Sequence, residues 1–218
     1  MSKVVAIDGP TSSGKDSVAT LLSQKTGYRF VDAGAIYRAG TAYILKHNLP
    51  IEEEQQNALV FKKINIRFLN HDLKPQLLVD GEDVTDLLRT PEVTKFTPII
   101  ASQPKVREAL KNKQRWLGSK QNTIMAGRDI GSIIFPDADL KVYLTADLKI
   151  RAKRRFLQIQ KRNPKVTFNQ VLEEVKKRDE LDSNRAVSPL KIPDGAIVID
   201  NSSLSVEETV NRILRKLP

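Results

Sequence analysis

Gly9-Pro10-Thr11-Ser12-Ser13-Gly14-Lys15 is a short polar loop bounded by two glycines and closed by a lysine. Glycines let successive backbone N–H groups curl toward one centre, where the positive end of a following helix joins them in holding an anion. A lysine at that position reaches the outer phosphates of a nucleoside triphosphate. The flanks suit this use. Val4-Val5-Ala6-Ile7-Asp8 reads as an apolar strand before the loop, and Val18-Ala19-Thr20-Leu21-Leu22 as a helix after it. That context favours phosphate binding over an ordinary glycine-rich turn, so Gly9 through Ser17 form the candidate donor-phosphate set. Asp16 stands where Ser or Thr usually follows the lysine, with Ser17 one place later. Asp16 either faces solvent in the first helical turn, where an acid suits the helix dipole, or meets Mg²⁺ indirectly.

Two basic segments offer further chemistry. Between Lys149 and Arg162, seven of fourteen residues are Lys or Arg and none is acidic, with Ile150, Phe156, Leu157 and Ile159 on an apolar side. Such a helix is a solvated face, a nucleic-acid surface or an arginine cover for phosphates, and charge alone favours the first. Further on, Arg178, Asp182 and Arg185 recur at i, i+4 and i+7 and so share one helix face. Two arginines flanking a carboxylate make either a clamp for a sugar phosphate or a surface ion pair of little energetic worth.

The elements that must position these groups alternate along the chain. Residues 28–31, 122–125, 140–144 and 196–199 read as strands, 35–45 as a helix, and Ser205-Val206-Glu207-Glu208 as the capping box of a last helix. With the strand before the loop there are five, which implies an α/β fold with a parallel sheet and a ligand site at its carboxyl ends. The middle differs. Residues 64–84 alternate around a turn at Asp80-Gly81, and two helical stretches follow, separated near Gln103-Pro104. Residues 63–118 therefore read as an insertion between sheet strands. No repeat or low-complexity linker is present.

Composition bounds the partners. The chain has 218 residues, long enough for one compact domain with an elaboration, and a net charge of +10 that calls for anionic partners such as nucleotides or nucleic acid. Aromatic residues make up only 6% and no basic–aromatic face for stacking bases is visible, so nucleic acid is not expected. No apolar run approaches the length of a membrane span, and Met1-Ser2-Lys3 leads straight into a strand rather than a signal peptide. The absence of cysteine excludes disulfides and thiolate metal sites and suits the cytoplasm. His47 and His71 lie far apart in polar surroundings and are expected at the surface rather than on zinc. A monomer is expected, since no long apolar surface is evident.

Three further segments carry a family resemblance: Val31-Asp32-Ala33-Gly34-Ala35-Ile36-Tyr37-Arg38, Gly127-Arg128-Asp129-Ile130-Gly131, and Asp179 through Ala186. Together with the phosphate loop, and with Leu78-Val79-Asp80-Gly81-Glu82-Asp83-Val84 in the insertion, the chain resembles bacterial cytidylate kinase nearly end to end. The resemblance implies one P-loop nucleoside monophosphate kinase domain over 1–218. Residues 63–118 would be its monophosphate-binding insertion, and about 149–188 its mobile helical lid. It implies transfer of the γ-phosphoryl of ATP to CMP or dCMP. Ser17 fits the offset at which such kinases carry a hydroxyl after the lysine, and Mg²⁺ would be held mainly through phosphates and water. Lys15, Arg128, Arg185 and Arg155 would serve the transferred group. Asp32 belongs with the acceptor set; Arg38, Arg128 and Arg185 resemble acceptor-phosphate ligands, Arg178 and Asp182 sugar contacts, and Arg107 and Asp129 readers of the base. Arg151, Arg154 and Arg155 match the lid over the donor phosphates.

The chemistry suits these roles. Phosphoryl transfer needs positioning and charge neutralisation, and an acceptor phosphate is already ionised, so no catalytic histidine is required. An ionised Asp129 accepts a hydrogen bond from the exocyclic amine of cytosine, whereas uracil presents an oxygen there. The chain departs from the family pattern at Ala33 and Pro98, where hydroxyl side chains are usual, and at Ala126, where an acid is usual. The two lost hydroxyls imply weaker or less stringent reading of the base, with the phosphate machinery intact. The rival readings are a P-loop kinase for another nucleotide or small acceptor, and a non-catalytic nucleotide- or RNA-binding protein.

Overall fold

The computed structural model describes residues 2–71, 74–161 and 163–217, with the side chains of 70, 71, 74 and 75 outside the description. Of the residues singled out above, the His71 side chain and Arg162 fall outside it. The chain forms two compact units, Met1–Phe30 with Gly118–Pro218, and Val31–Leu117.

The first unit is built on a parallel sheet. Its strands are β1 (Val4–Asp8), β2 (Arg29–Asp32), β6 (Thr123–Gly127), β7 (Leu140–Thr145) and β8 (Ile197–Asp200), in the order β2-β6-β1-β7-β8. β2 leads the chain out of this unit. Every residue of β1 is buried, as a central parallel strand covered on both faces requires. β1 pairs with β6 from Val4↔Thr123 to Asp8↔Gly127, and with β7 from Val5↔Leu140 to Asp8↔Tyr143. The register brings Asp8, Gly127 and Tyr143 level at the carboxyl end of the sheet. Helix α1 (Lys15–Thr26) places Val18 and Leu22 in the core, and α8 (Val206–Leu214) places Val210 and Ile213 there. Each fully buried side chain of this kind contributes about 2 kcal/mol. The expected capping box is present: Ser205 Oγ accepts from the Glu208 N–H at 3.1 Å, and the Glu208 carboxylate accepts from the Ser205 N–H at 2.8 Å. Helices α6 (Leu148–Gln160) and α7 (Phe168–Asn184) complete the unit, with Phe156 and Phe168 edge to face at 6.1 Å.

The second unit holds α2 (Ala33–Lys46), α3 (Glu54–Lys63) and an antiparallel sheet of β3 (Ile66–His71), β4 (Lys74–Val79) and β5 (Glu82–Asp83). A 3₁₀ turn at Thr85–Arg89, α4 (Pro91–Ser102) and most of α5 (Pro104–Ser119) follow. The antiparallel excursion and the helix break at Gln103 match the sequence reading; α3 was not foreseen. Pro98 lies inside α4, which continues through it without the N–H that would bond the Thr94 carbonyl.

Phe61 on α3 is fully buried against Gly40 and 6.0 Å from the Tyr37 ring, both on α2. A Cβ at Gly40 would stand 2.1 Å from Phe61 Cε1. Gly40→Ala is therefore expected to lower stability by about 2 kcal/mol through overpacking, measured by urea denaturation; an unchanged midpoint would show that Phe61 can move aside.

Candidate active site

The phosphate loop sits where β1 ends, and close backbone approach dictates its glycines. A Cβ on Gly9 would stand 2.0 Å from the Leu144 carbonyl oxygen of β7. Gly14, with φ of 93°, takes the left-handed conformation immediately before α1. The Lys15 ammonium folds back over the loop, donating to the carbonyls of Gly9 at 2.8 Å and Pro10 at 2.7 Å and to Ser13 Oγ at 3.2 Å. Burial, with Arg128 nearby, pulls Lys15 down to about 7, so an arriving phosphate would restore its charge. Asp16 and Ser17 are exposed in the first turn of α1. The far end of β8 braces the loop: Asn201 Nδ2 donates to the Ser13 carbonyl at 2.9 Å. Arg154 in turn clasps Asn201 through Oδ1 at 3.0 Å and its carbonyl at 2.8 Å.

The end of β6 supplies the second part. Past Gly127, Arg128 and Asp129 enter a π-helical turn, Ile130–Ile134, that was not foreseen. Its opening N–H groups are held by Asp8, whose two carboxylate oxygens accept from Ile130 at 2.7 Å and Gly131 at 2.6 Å. Burial pushes the Asp8 carboxyl up to about 6 against the pull of these two donors. Asp8 thus ties the last residue of β1 to the stretch carrying Arg128 and Asp129. The sequence offered one sign of this role, an acid closing an otherwise apolar strand.

The last turn of α7 completes a charged cluster. Asp182, 4% exposed, accepts from Arg128 Nε at 2.8 Å and from Arg178 Nε at 3.2 Å. Arg185 lies 3.8 Å from Asp182 and 3.7 Å from Asp129. The i, i+4, i+7 set is therefore a partly buried network around one buried carboxylate rather than a surface ion pair. Burial would raise the Asp182 pKa, but Arg128, Arg178 and Arg185 outweigh it and hold it at about 2. Arg128 Nη2 also donates to Thr11 Oγ1 at 2.9 Å, which links the cluster to the phosphate loop. Arg151 and Arg155 lie on α6, buried and half-buried respectively.

Asp32, Arg38 and Arg107 belong to the second unit. Asp32 caps α2 by accepting from the Ala35 N–H at 3.0 Å and pairs with Arg38 at 2.5 Å. Arg107 is buried, donates to the Ala101 carbonyl at 2.8 Å, and lies over the Tyr37 ring at 5.3 Å. Among the described residues, no group of three or more His, Asp or Glu could hold a metal ion.

A glycine-bounded loop between a parallel strand and a helix, with arginines gathered at the same strand ends, defines a P-loop nucleotide-binding α/β protein. A family model described as cytidylate kinase matches residues 5–218. The cytidylate kinase of Caldanaerobacter subterraneus subsp. tengcongensis is 42% identical over 209 residues, covering 96% of this chain and 92% of that protein. That of Bacillus pumilus is 41% identical over 210 residues, covering 96% and 93%. The chain belongs to the cytidylate kinase family. Among solved structures, an uncharacterized protein from Eubacterium ventriosum shares the fold, with a TM-score of 0.56 at 12% identity over 99% of this chain and 98% of that one. An unliganded sugar kinase from Janibacter sp. does so with a TM-score of 0.50 at 14% identity over 100% and 95%.

The Asp182 network sets a pH dependence. Its carboxyl ionises at about 2 in the fold, well below the ordinary aspartate value of 3.8. As pH falls, the unfolded chain takes up this proton before the folded one. The stabilisation is thus complete above about pH 4, is lost toward pH 2, and amounts to roughly 2 kcal/mol. Asp182→Asn is expected to be less stable at neutral pH but to lose less stability between those limits, read from urea melts across the series.

Proposed function

We propose that the protein transfers the γ-phosphoryl of ATP to CMP or dCMP, giving CDP or dCDP. The observation that carries this reading is the junction of phosphate loop and arginine cluster: Arg128 joins Asp182 to Thr11 of the loop. Membership of the cytidylate kinase family supports the choice of acceptor.

In this reading the Gly9–Ser17 backbone and Lys15 bind the donor phosphates, and Arg151, Arg154 and Arg155 of α6 cover them. Arg38, Arg128 and Arg185 bind the acceptor phosphate, with Asp32 orienting Arg38 through their ion pair. Arg178 and Asp182 bind the sugar, while Asp129 and Arg107 read the base. Transfer then needs the acceptor oxygen in line with the γ-phosphorus and the negative charge of both phosphates compensated, which arginines and Lys15 supply without a general base. Mg²⁺ would neutralise phosphate charge here. The absence of an acidic cage among the described residues and the exposed Ser17 at the start of α1 fit an ion held chiefly by phosphates and water. Closure of α6 and α7 would exclude water and suppress ATP hydrolysis. A cytoplasmic monomer suits this role and the lack of cysteine.

Initial rates with Mg²⁺-ATP and CMP, dCMP, UMP or AMP test the reading. Fast turnover confined to CMP and dCMP is expected, falling by more than about a hundredfold in Lys15→Met. Pro98→Ser should sharpen the preference for CMP over UMP. Equal rates with UMP or AMP would remove the base-reading roles of Asp129 and Arg107. Absence of turnover with every acceptor would favour another substrate, or nucleotide or RNA binding without catalysis.

A further inference from the structure

Asp179, one turn before Asp182 on α7, has no role in the assignments above, yet both of its oxygens are engaged at the loop. Oδ1 accepts the Thr11 N–H at 2.9 Å, and Oδ2 pairs with Arg151 Nη1. Arg151 Nη1 also donates to the Thr11 carbonyl at 3.0 Å, and its Nε donates to the Ala146 carbonyl at 2.9 Å. Thr11 is thereby gripped at three points: its N–H by Asp179, its carbonyl by Arg151 and its hydroxyl by Arg128. The Arg151 and Asp179 side chains are 9% and 19% exposed, so the pair is shielded enough for its geometry to matter.

Three elements meet at this point, namely the loop after β1, helix α6 and helix α7. A carboxylate beside a phosphate site repels the ligand unless a cation neutralises it and a structural duty keeps it there. Asp179 meets both conditions, through Arg151 and through the backbone of Thr11. We propose that Asp179 is a positioning residue for donor binding, which sets the Arg151 guanidinium against the tip of the phosphate loop and fixes the Thr11 peptide in the same contact. Asp179 and Asp182 then act as a pair one helical turn apart, the first seating Arg151 and the second Arg128, both against Thr11. Replacement by asparagine removes the charge and leaves one acceptor oxygen for two donors, with an amide NH₂ turned toward one of them. Arg151 then loses its charged partner and is held only by the Ala146 and Thr11 carbonyls, while the fold keeps the rest of its contacts.

The inference rests on the kinase reading for its link to catalysis, but its test is read on the donor alone. Dissociation constants of Mg²⁺-ATP are measured by calorimetry for the wild type, Asp179→Asn, Arg151→Ala and the double variant, alongside kcat with CMP. Asp179→Asn is expected to weaken Mg²⁺-ATP binding about tenfold, the worth of one charge-assisted contact, and to do so only while Arg151 is present. The double variant should bind Mg²⁺-ATP at least as tightly as Arg151→Ala, because without Arg151 the Asp179 carboxylate faces the phosphates uncompensated. Asp179→Glu, which keeps the charge, should recover most of the loss and serves if the asparagine variant does not fold. Equal weakening in the Arg151→Ala background would overturn the proposal, as would tighter binding by Asp179→Asn, which would make the carboxylate a competitor for the site. A wild type that binds ATP but does not phosphorylate CMP would contradict the kinase reading and leave this cycle decisive on its own.

Discussion

Guanidinium groups cannot be gathered into one partly buried patch without a counter-charge, and Asp182 provides it. Arg128, Arg178 and Arg185 all approach this single carboxylate, which stays ionised although burial opposes it. Buried ion networks of this kind are poor sources of net stability, because desolvation offsets most of the attraction. What the network does is hold long, flexible side chains in place before a ligand arrives. The balance is incomplete by design of charge. Arg128, Arg151, Arg178 and Arg185 outnumber Asp129, Asp179 and Asp182 by one, and an arriving phosphate would restore the charge of Lys15 beside them. An anion with several oxygens is the ligand that such a surplus attracts.

The parallel sheet makes the cluster possible. Register brings the ends of β1 and β6 level beside Tyr143 of β7, so that Gly9 and Arg128 leave the sheet together while β7 runs on to Thr145 before α6. Asp8 joins two of these exits by holding the first N–H groups of the π-turn after Asp129. The tight approach of Gly9 to Leu144 joins the loop to the third. The loop's shape thus depends on three strands that are far apart in sequence. A change in any of them would reach Lys15 without touching it.

Much of this was legible in the sequence because it is local. Apolar runs bounded by turn residues marked the strands of the sheet, and Gly9, Gly14 and Lys15 announced the phosphate loop by type and spacing. The capping box at Ser205 and the helical spacing of Arg178, Asp182 and Arg185 were readable for the same reason. Contacts that depend on register were not. Nothing next to Asp8 in the chain shows that it will meet Ile130 and Gly131, and Asp179 gives no sign that Thr11 is its partner. The π-turn was hidden because Ile130-Gly131-Ser132-Ile133-Ile134 has too short a pattern to separate a strand from a helix. Helix α3 was missed because its buried face rests on Asn57 and Phe61 while the apolar Leu59 is exposed, which blurs the helical pattern.

The claim on which the function depends is that the arginine cluster recognises a nucleotide's phosphate, and comparing CMP with cytidine isolates that group. Dissociation constants for both ligands would be measured by calorimetry with the wild type and with Arg128→Ala. CMP is expected to bind at least about a hundredfold more tightly than cytidine, with the gap shrinking to below about tenfold in the variant. Cytidine binding as tightly as CMP, or a gap that Arg128→Ala leaves unchanged, would contradict it.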